Sequence, residues 1–151
     1  MKNKKILVVY YSRTGNTRKV GKMISKILKA DSEEIIDKKN RSGILGWIFG
    51  GRDAMMKKGT EIEYKKDPSK YNLVVIGTPI WVATVTPAIR TYLESNKIKK
   101  VAFFCTYGGS SGKSFDEMKK LSKKPLATLG IKAKELELHD AEIKVFCKNL
   151  K

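Results

Sequence analysis

Three short clusters of residues carry the side chains best suited to chemistry. The first is YYSRTGNT at positions 10–17, where Ser12, Thr14, Gly15, Asn16 and Thr17 surround a single cation, Arg13. The cluster follows an apolar run and precedes a helical pattern, so it sits where a helix begins. Backbone N–H groups at a helix start lack internal partners, and the helix dipole favours negative charge there. Short hydroxyl and amide side chains add donors, and Gly15 permits a tight turn. This combination forms a cup for a phosphate. An ordinary helix cap is the alternative, but a cap needs only one or two such residues. Five of the six positions from 12 to 17 are Ser, Thr, Gly or Asn, which exceeds that need.

The second cluster is GTPIWVATVTP, residues 77–87. Pro79 stiffens it, and Trp81 can either stack on a flat ligand ring or pack beneath a neighbouring loop. The third is CTYGGSSGKS, residues 105–114, where Gly108 and Gly109 allow close backbone approach and Tyr107 offers another ring face. Its Gly112-Lys113-Ser114 resembles the end of a nucleotide P-loop. That motif requires a glycine five residues before Gly112, and Tyr107 stands there instead, so the cradle does not form. One phosphate cup and two aromatic loops together suit a planar ring bearing a single terminal phosphate.

The intervening segments show what would bring these clusters together. Ile6–Tyr10 is continuous, apolar and β-branched, which suits a strand buried on both faces. From Thr17 onward, Val20, Met23, Ile24, Ile27 and Leu28 form a helical stripe. Residues 33–36 give a weak second strand, and 73–77 and 101–105 give strong third and fourth strands. Between these, Thr86 caps a helix with Pro87 at its first position. Ser114 caps another helix, broken near Pro125 and ended by Gly130. The alternation over 133–138 predicts a fifth strand, and 141–150 a final helix. Strand and helix alternate throughout, giving an α/β, three-layer, doubly wound, five-stranded parallel sheet in the order 2-1-3-4-5. A ligand then binds beyond the strands' carboxyl ends, at the switch point between strands 1 and 3, where the three clusters emerge.

With these residues in place, the chain resembles the flavodoxin family. Val8, Val9, Tyr10, Ser12, Gly15, Thr17 and Ile24 match the family signature, which has alanine where this chain has Gly21. GTPIW, with Pro87-Ala88-Ile89-Arg90 and Tyr92-Leu93, resembles the second FMN loop of short-chain members. FCTYGGSSGKSF resembles the third. The resemblance spans nearly the whole chain and implies FMN as cofactor. It implies that Ser12, Arg13, Thr14, Gly15, Asn16 and Thr17 hold the phosphate, with Trp81 and Tyr107 flanking the isoalloxazine. Backbone of Thr78, Pro79, Ile80 and Trp81, and of Thr106, Tyr107, Gly108 and Gly109, would bond the ring edge.

The resemblance implies an electron carrier between a reductase and an acceptor protein. Two alternatives are an FMN-dependent NAD(P)H:quinone-type oxidoreductase and a basic flavodoxin that activates a metalloenzyme. Against the first, no second nucleotide fingerprint is present. Against the second, GTPIW and its following proline do not match that subfamily.

Length, charge and composition bound these readings. At 151 residues one domain, 1–151, is expected. Thirty-two Lys plus Arg against 15 Asp plus Glu give +17, so redox partners with acidic surfaces are expected. A dispersed, solvated lysine surface is the simpler account. Low-potential members of the family surround the flavin with carboxylates, whereas positive surroundings stabilise the anionic reduced flavin and raise its potential. Specific nucleic-acid binding is not expected, because no base-reading helix or Arg-interleaved aromatic face is present. Apolar runs are too short to span a membrane, and no leader pattern follows the basic start, so a cytoplasmic protein is expected.

Cys105 and Cys147 form no metal spacing. Cys105 is either redox-sensitive or a small buried hydrophobe. His139 falls away from the clusters. The apolar stretch 41–59 is read as a helix packed on the sheet, with the alternative that Trp47, Ile48 or Phe49 forms a lid beside the flavin or a partner-docking patch.

Overall fold

The computed structural model describes residues 4–39, 43–55 and 59–151. Strand β1 (Ile6–Tyr10) is buried at every position, as a run without polar alternation requires. Helix α1 (Asn16–Leu28) returns over it and buries Val20, Gly21, Ile24 and Leu28. The second strand, β2 (Asp31–Glu34), lies two residues earlier than the pattern suggested. It is a charged edge strand, which discourages pairing with another chain and also weakens its hydrophobic signal. Next come β3 (Ile36–Asp37), α2 (Gly43–Met55) and β4 (Ile62–Glu63), with β3 and β4 paired as a separate antiparallel ribbon. Of the stretch 41–59, Arg41, Ser42 and residues 56–58 lie outside the described residues.

Strand β5 (Leu73–Trp81) runs four residues beyond its expected end and turns back into the short β6 (Thr84–Val85). Helix α3 (Pro87–Ser95), β7 (Val101–Tyr107), α4 (Ser114–Leu121), β8 (Thr128–Lys132) and α5 (Asp140–Lys148) complete the chain. The main strands are all parallel in the order β2-β1-β5-β7-β8, the doubly wound order anticipated from the alternation. Among the described residues no helix is long and apolar enough to cross a membrane.

Successive strand residues point to opposite faces and so feed two cores. Val8, Val75 and Phe104 meet Val20, Ile24, Ile143 and Phe146 on one side. Val9, Ile76 and Phe103 meet Ile89, Leu93 and Met118 on the other. Each fully buried side chain of this size contributes about 1.5–3 kcal/mol. Two glycines make room for rings in the first core. A Cβ on Gly77 would lie 2.0 Å from Phe104, and one on Gly21 would lie 2.4 Å from Tyr10. Glycine therefore stands at position 21, where the family signature has alanine, because the Tyr10 ring fills the methyl's place.

The C-terminal third departs from the expected boundaries. Helix α4 ends at Leu121, and Gly130 lies inside β8 instead of ending a helix. Residues 133–138, expected as the fifth strand, fall within a 3-10 segment, Ala133–His139. The alternation there reflects partial packing: Leu136 rests against the core while Leu138 is exposed. The strand instead comes from 128–132, where register with β7 outweighs a weak local pattern on a sheet edge that tolerates glycine. Ser114 does not cap α4. Lys113 occupies the cap, and Ser114 is the first helical residue.

Candidate functional site

The first cluster folds as a turn feeding α1. Gly15 is the residue before the helix and adopts φ 106°, which only glycine enters easily. Its N–H donates to Ser12 Oγ at 3.1 Å, so Ser12 shapes the loop from within. The first helical backbone bond runs from Lys19 N–H to the Gly15 carbonyl. The N–H groups of Asn16, Thr17 and Arg18 therefore have no carbonyl one turn back. The first turn of α1 also contains no acidic residue. A helix start without a capping side chain or a carboxylate, with Arg13 beside it, is poorly arranged for a bare helix and well arranged for an anion.

Thr17 and Thr106 share a buried hydroxyl–hydroxyl hydrogen bond of 2.8 Å, which ties the first loop to the end of β7. Register across the sheet sets Pro79 beside Thr106, so the roots of the second and third loops are neighbours. The result is a cleft of about 140 Å³ lined by Arg13, Thr14, Asn16 and Thr17 on its polar side. Trp47, Pro79, Ile80, Trp81, Thr106, Tyr107, Gly108 and Ala133 complete it. A larger cavity of about 670 Å³ shares Trp47, Ile80, Trp81 and Gly108 with the cleft and extends to Gly109. A phosphate suits the polar cleft, and a planar ring suits the aromatic-walled space adjoining it. Among the described residues lining the two spaces, the charged ones are Arg13 and Arg52, with no carboxylate.

Most of the candidates from the three clusters converge on these two spaces. Ser12, Gly15 and Thr78 do not line them. Thr78 is fully buried, and its hydroxyl shares a 3.0 Å hydrogen bond with Thr86 Oγ1. That contact fixes the base of the second loop to the start of α3. Trp81 is held edge-on to Tyr11, with centroids 5.7 Å apart. Trp47 and Arg52 come from α2, which the sequence reads first as a helix packed on the sheet. Helix α2 lies against the end of β5: a Cβ on Gly50 would come 2.9 Å from the Trp81 ring.

The tip between β5 and β6 is Val82-Ala83, with φ 52° and 56°. Two positive φ values in a two-residue hairpin define a turn that favours Asn-Gly. The carbonyl of Ala83 packs against Gly112, where a Cβ would approach to 2.4 Å and φ is 55°. This contact accounts for the glycine in the P-loop-like GKS, whose role is to seat the third loop on the hairpin. Substituting Val82→Asn together with Ala83→Gly should stabilise the protein by about 1–2 kcal/mol, since left-handed backbone is costly for Val and Ala. A shift in the urea midpoint would show it. An unchanged midpoint would mean the tip is unstrained.

Cys105 is buried, and loss of solvation pushes its thiol up to about 12. It is a protonated core residue at neutral pH, not a redox-sensitive thiolate. His139 lies at the other end of the 3-10 segment, 2.9 Å from Glu142 through Nδ1. Among the described residues no group of His, Cys, Asp or Glu is placed to hold a metal ion.

Comparison with known proteins follows the same lines. The family model described as Flavodoxin matches residues 5–144. A flavoprotein from Lactobacillus acidophilus solved in complex with FMN is 23% identical with TM-score 0.69, covering 90% of this chain and 98% of its own. A chain from Bacteroides uniformis assigned as a flavoprotein is 24% identical with TM-score 0.76, covering 97% and 99%. A similarly assigned chain from Bacteroides eggerthii is 27% identical with TM-score 0.71, covering 95% and 98%. No curated protein sequence matches the chain.

Proposed function

The chain belongs to the flavodoxin family, its cofactor is FMN, and we propose that it works as a one-domain cytoplasmic electron carrier between a reductase and an acceptor protein. One observation carries this reading: a phosphate-sized polar cleft at an uncapped helix start adjoins an aromatic-walled cavity at the switch point of the sheet. In the proposal, Arg13, Thr14, Asn16 and Thr17 hold the phosphate, and Trp81 and Tyr107 lie against the ring. FMN supplies one- and two-electron chemistry when bound, while the protein sets its environment and leaves an edge accessible. Among the described residues the lining contains two arginines and no carboxylate, which favours acceptors of relatively high potential. The +17 charge favours partners with acidic surfaces.

A second reading, direct reduction of a small quinone-like molecule with NAD(P)H, draws support from the larger cavity, whose volume is that of a small-molecule site. Stopped-flow oxidation of NAD(P)H by the FMN-loaded protein separates the two. A carrier should oxidise it slowly without a partner reductase, with or without added quinone. Rapid partner-free turnover would replace the carrier reading with the reductase one.

A further inference from the structure

We propose that Trp47, on α2, is a third aromatic contact for the flavin ring, so that α2 serves as a wall of the binding site. The inference rests on FMN being the cofactor. Three consecutive large apolar residues of α2, Trp47, Ile48 and Phe49, are exposed, but they face different surroundings. Trp47 lines both the polar cleft and the larger cavity, Ile48 lines only the larger one, and Phe49 lines neither. Trp47 thus stands at the junction where a molecule with its phosphate in the cleft passes into the apolar space. Its side chain is 65% exposed, a large apolar area that a planar ligand can cover.

The helix carrying Trp47 is fixed on three sides. Gly50 lets the α2 backbone rest on the Trp81 ring, and Gly51 brings it against Val82, where a Cβ would lie 3.1 Å away. Arg13 donates from the phosphate loop to the Gly43 carbonyl at 2.8 Å, tying the start of α2 to the cleft. Lys39 pairs with Asp53 at 2.8 Å near its other end. Trp47 is therefore held beside the cleft by the same residues that build the cleft and its aromatic wall.

The test is fluorescence titration of cofactor-free protein with FMN and with riboflavin, for the parent, Trp47→Ala, Trp47→Phe and Phe49→Ala. Trp47→Ala should weaken FMN about tenfold or more and riboflavin by the same factor, because the contact is to the ring. Trp47→Phe should recover most of the affinity, and Phe49→Ala should match the parent. Because Trp47 is exposed, its truncation should leave the fold intact, and far-UV circular dichroism checks this. Parent-like FMN binding by Trp47→Ala would overturn the proposal, as would equal losses in Trp47→Ala and Phe49→Ala, which would signal a loosened helix. Failure of the parent to bind FMN would instead refute the cofactor assignment itself.

Discussion

Replacing Glu117 by leucine is expected to remove about 3–5 kcal/mol of folding stability, because it leaves a buried arginine without its counter-charge. Arg90 of α3 is only 8% exposed and Glu117 of α4 only 15%, and their pair is 2.5 Å long. The other carboxylate oxygen accepts from the Thr84 hydroxyl on β6. One carboxylate therefore joins α3, α4 and the returning strand of the hairpin that follows Trp81. The arrangement is incompletely satisfied, since Arg90 Nε has no hydrogen-bond partner among the described residues. A pair with an orphaned donor contributes less net stability than its geometry suggests, although breaking it remains costly. The double variant Arg90→Met with Glu117→Leu should therefore recover much of what Glu117→Leu loses. Urea unfolding of both single variants and the double variant measures the coupling. Additive losses would show that the two charges do not stabilise each other. Because Thr84 lies three residues beyond Trp81, the single variant should also loosen the aromatic side of the site and weaken FMN binding.

This pair also shows what the sequence leaves hidden. Arg90 enters the sequence reading only as one letter of the second-loop motif, and no local pattern marks Glu117. Only the doubly wound topology brings α3 beside α4, and no local pattern encodes a contact across 27 positions. The strands buried on both faces, by contrast, were legible because continuous β-branched runs have few alternatives. Edge strands were less so: β2 is acidic, and β8 contains a glycine that reads as a stop. Both are specified by pairing with a central neighbour, which a local pattern does not contain.

The site divides in the same way. Loops at the carboxyl ends of strands could be located from topology alone, and most of their candidate residues do converge. The apolar stretch that becomes α2 reads first as a helix packed on the sheet, and only second as a lid or a partner-docking patch. The structure shows α2 packed against the end of β5. The helix packs on Trp81 and, by packing there, places Trp47 at the junction of the two spaces. At Thr78 only the backbone is expected to meet the ring edge, and its hydroxyl is taken up within the protein by Thr86 and the Pro79 carbonyl.

Substituting Asn16→Asp is expected to move stability and cofactor affinity in opposite directions. Position 16 is the first residue of α1, in a first turn that contains no acid. A carboxylate there meets the positive end of the helix dipole and should stabilise the cofactor-free protein by about 0.3–1 kcal/mol. The same carboxylate lines the polar cleft, where it would face the phosphate, so FMN should bind about 10–100-fold more weakly. Riboflavin, lacking the phosphate, should be almost indifferent to the change. The parent supplies the scale for this comparison. Two or more charge-assisted hydrogen bonds, each contributing about 1.5–3 kcal/mol, should make FMN bind roughly a thousandfold more tightly than riboflavin. Fluorescence titration with both flavins, paired with thermal unfolding of the cofactor-free proteins, measures every quantity in the prediction. A parent that does not distinguish FMN from riboflavin would remove the phosphate from the cleft altogether. If the parent does distinguish them and Asn16→Asp weakens both flavins alike, the substitution has disturbed the fold of the loop. A selective loss of FMN in a more stable protein has no such explanation, because a damaged loop does not stabilise its own helix. It would mean that the start of α1 is left without an acid or a capping side chain because the cofactor's phosphate takes that place.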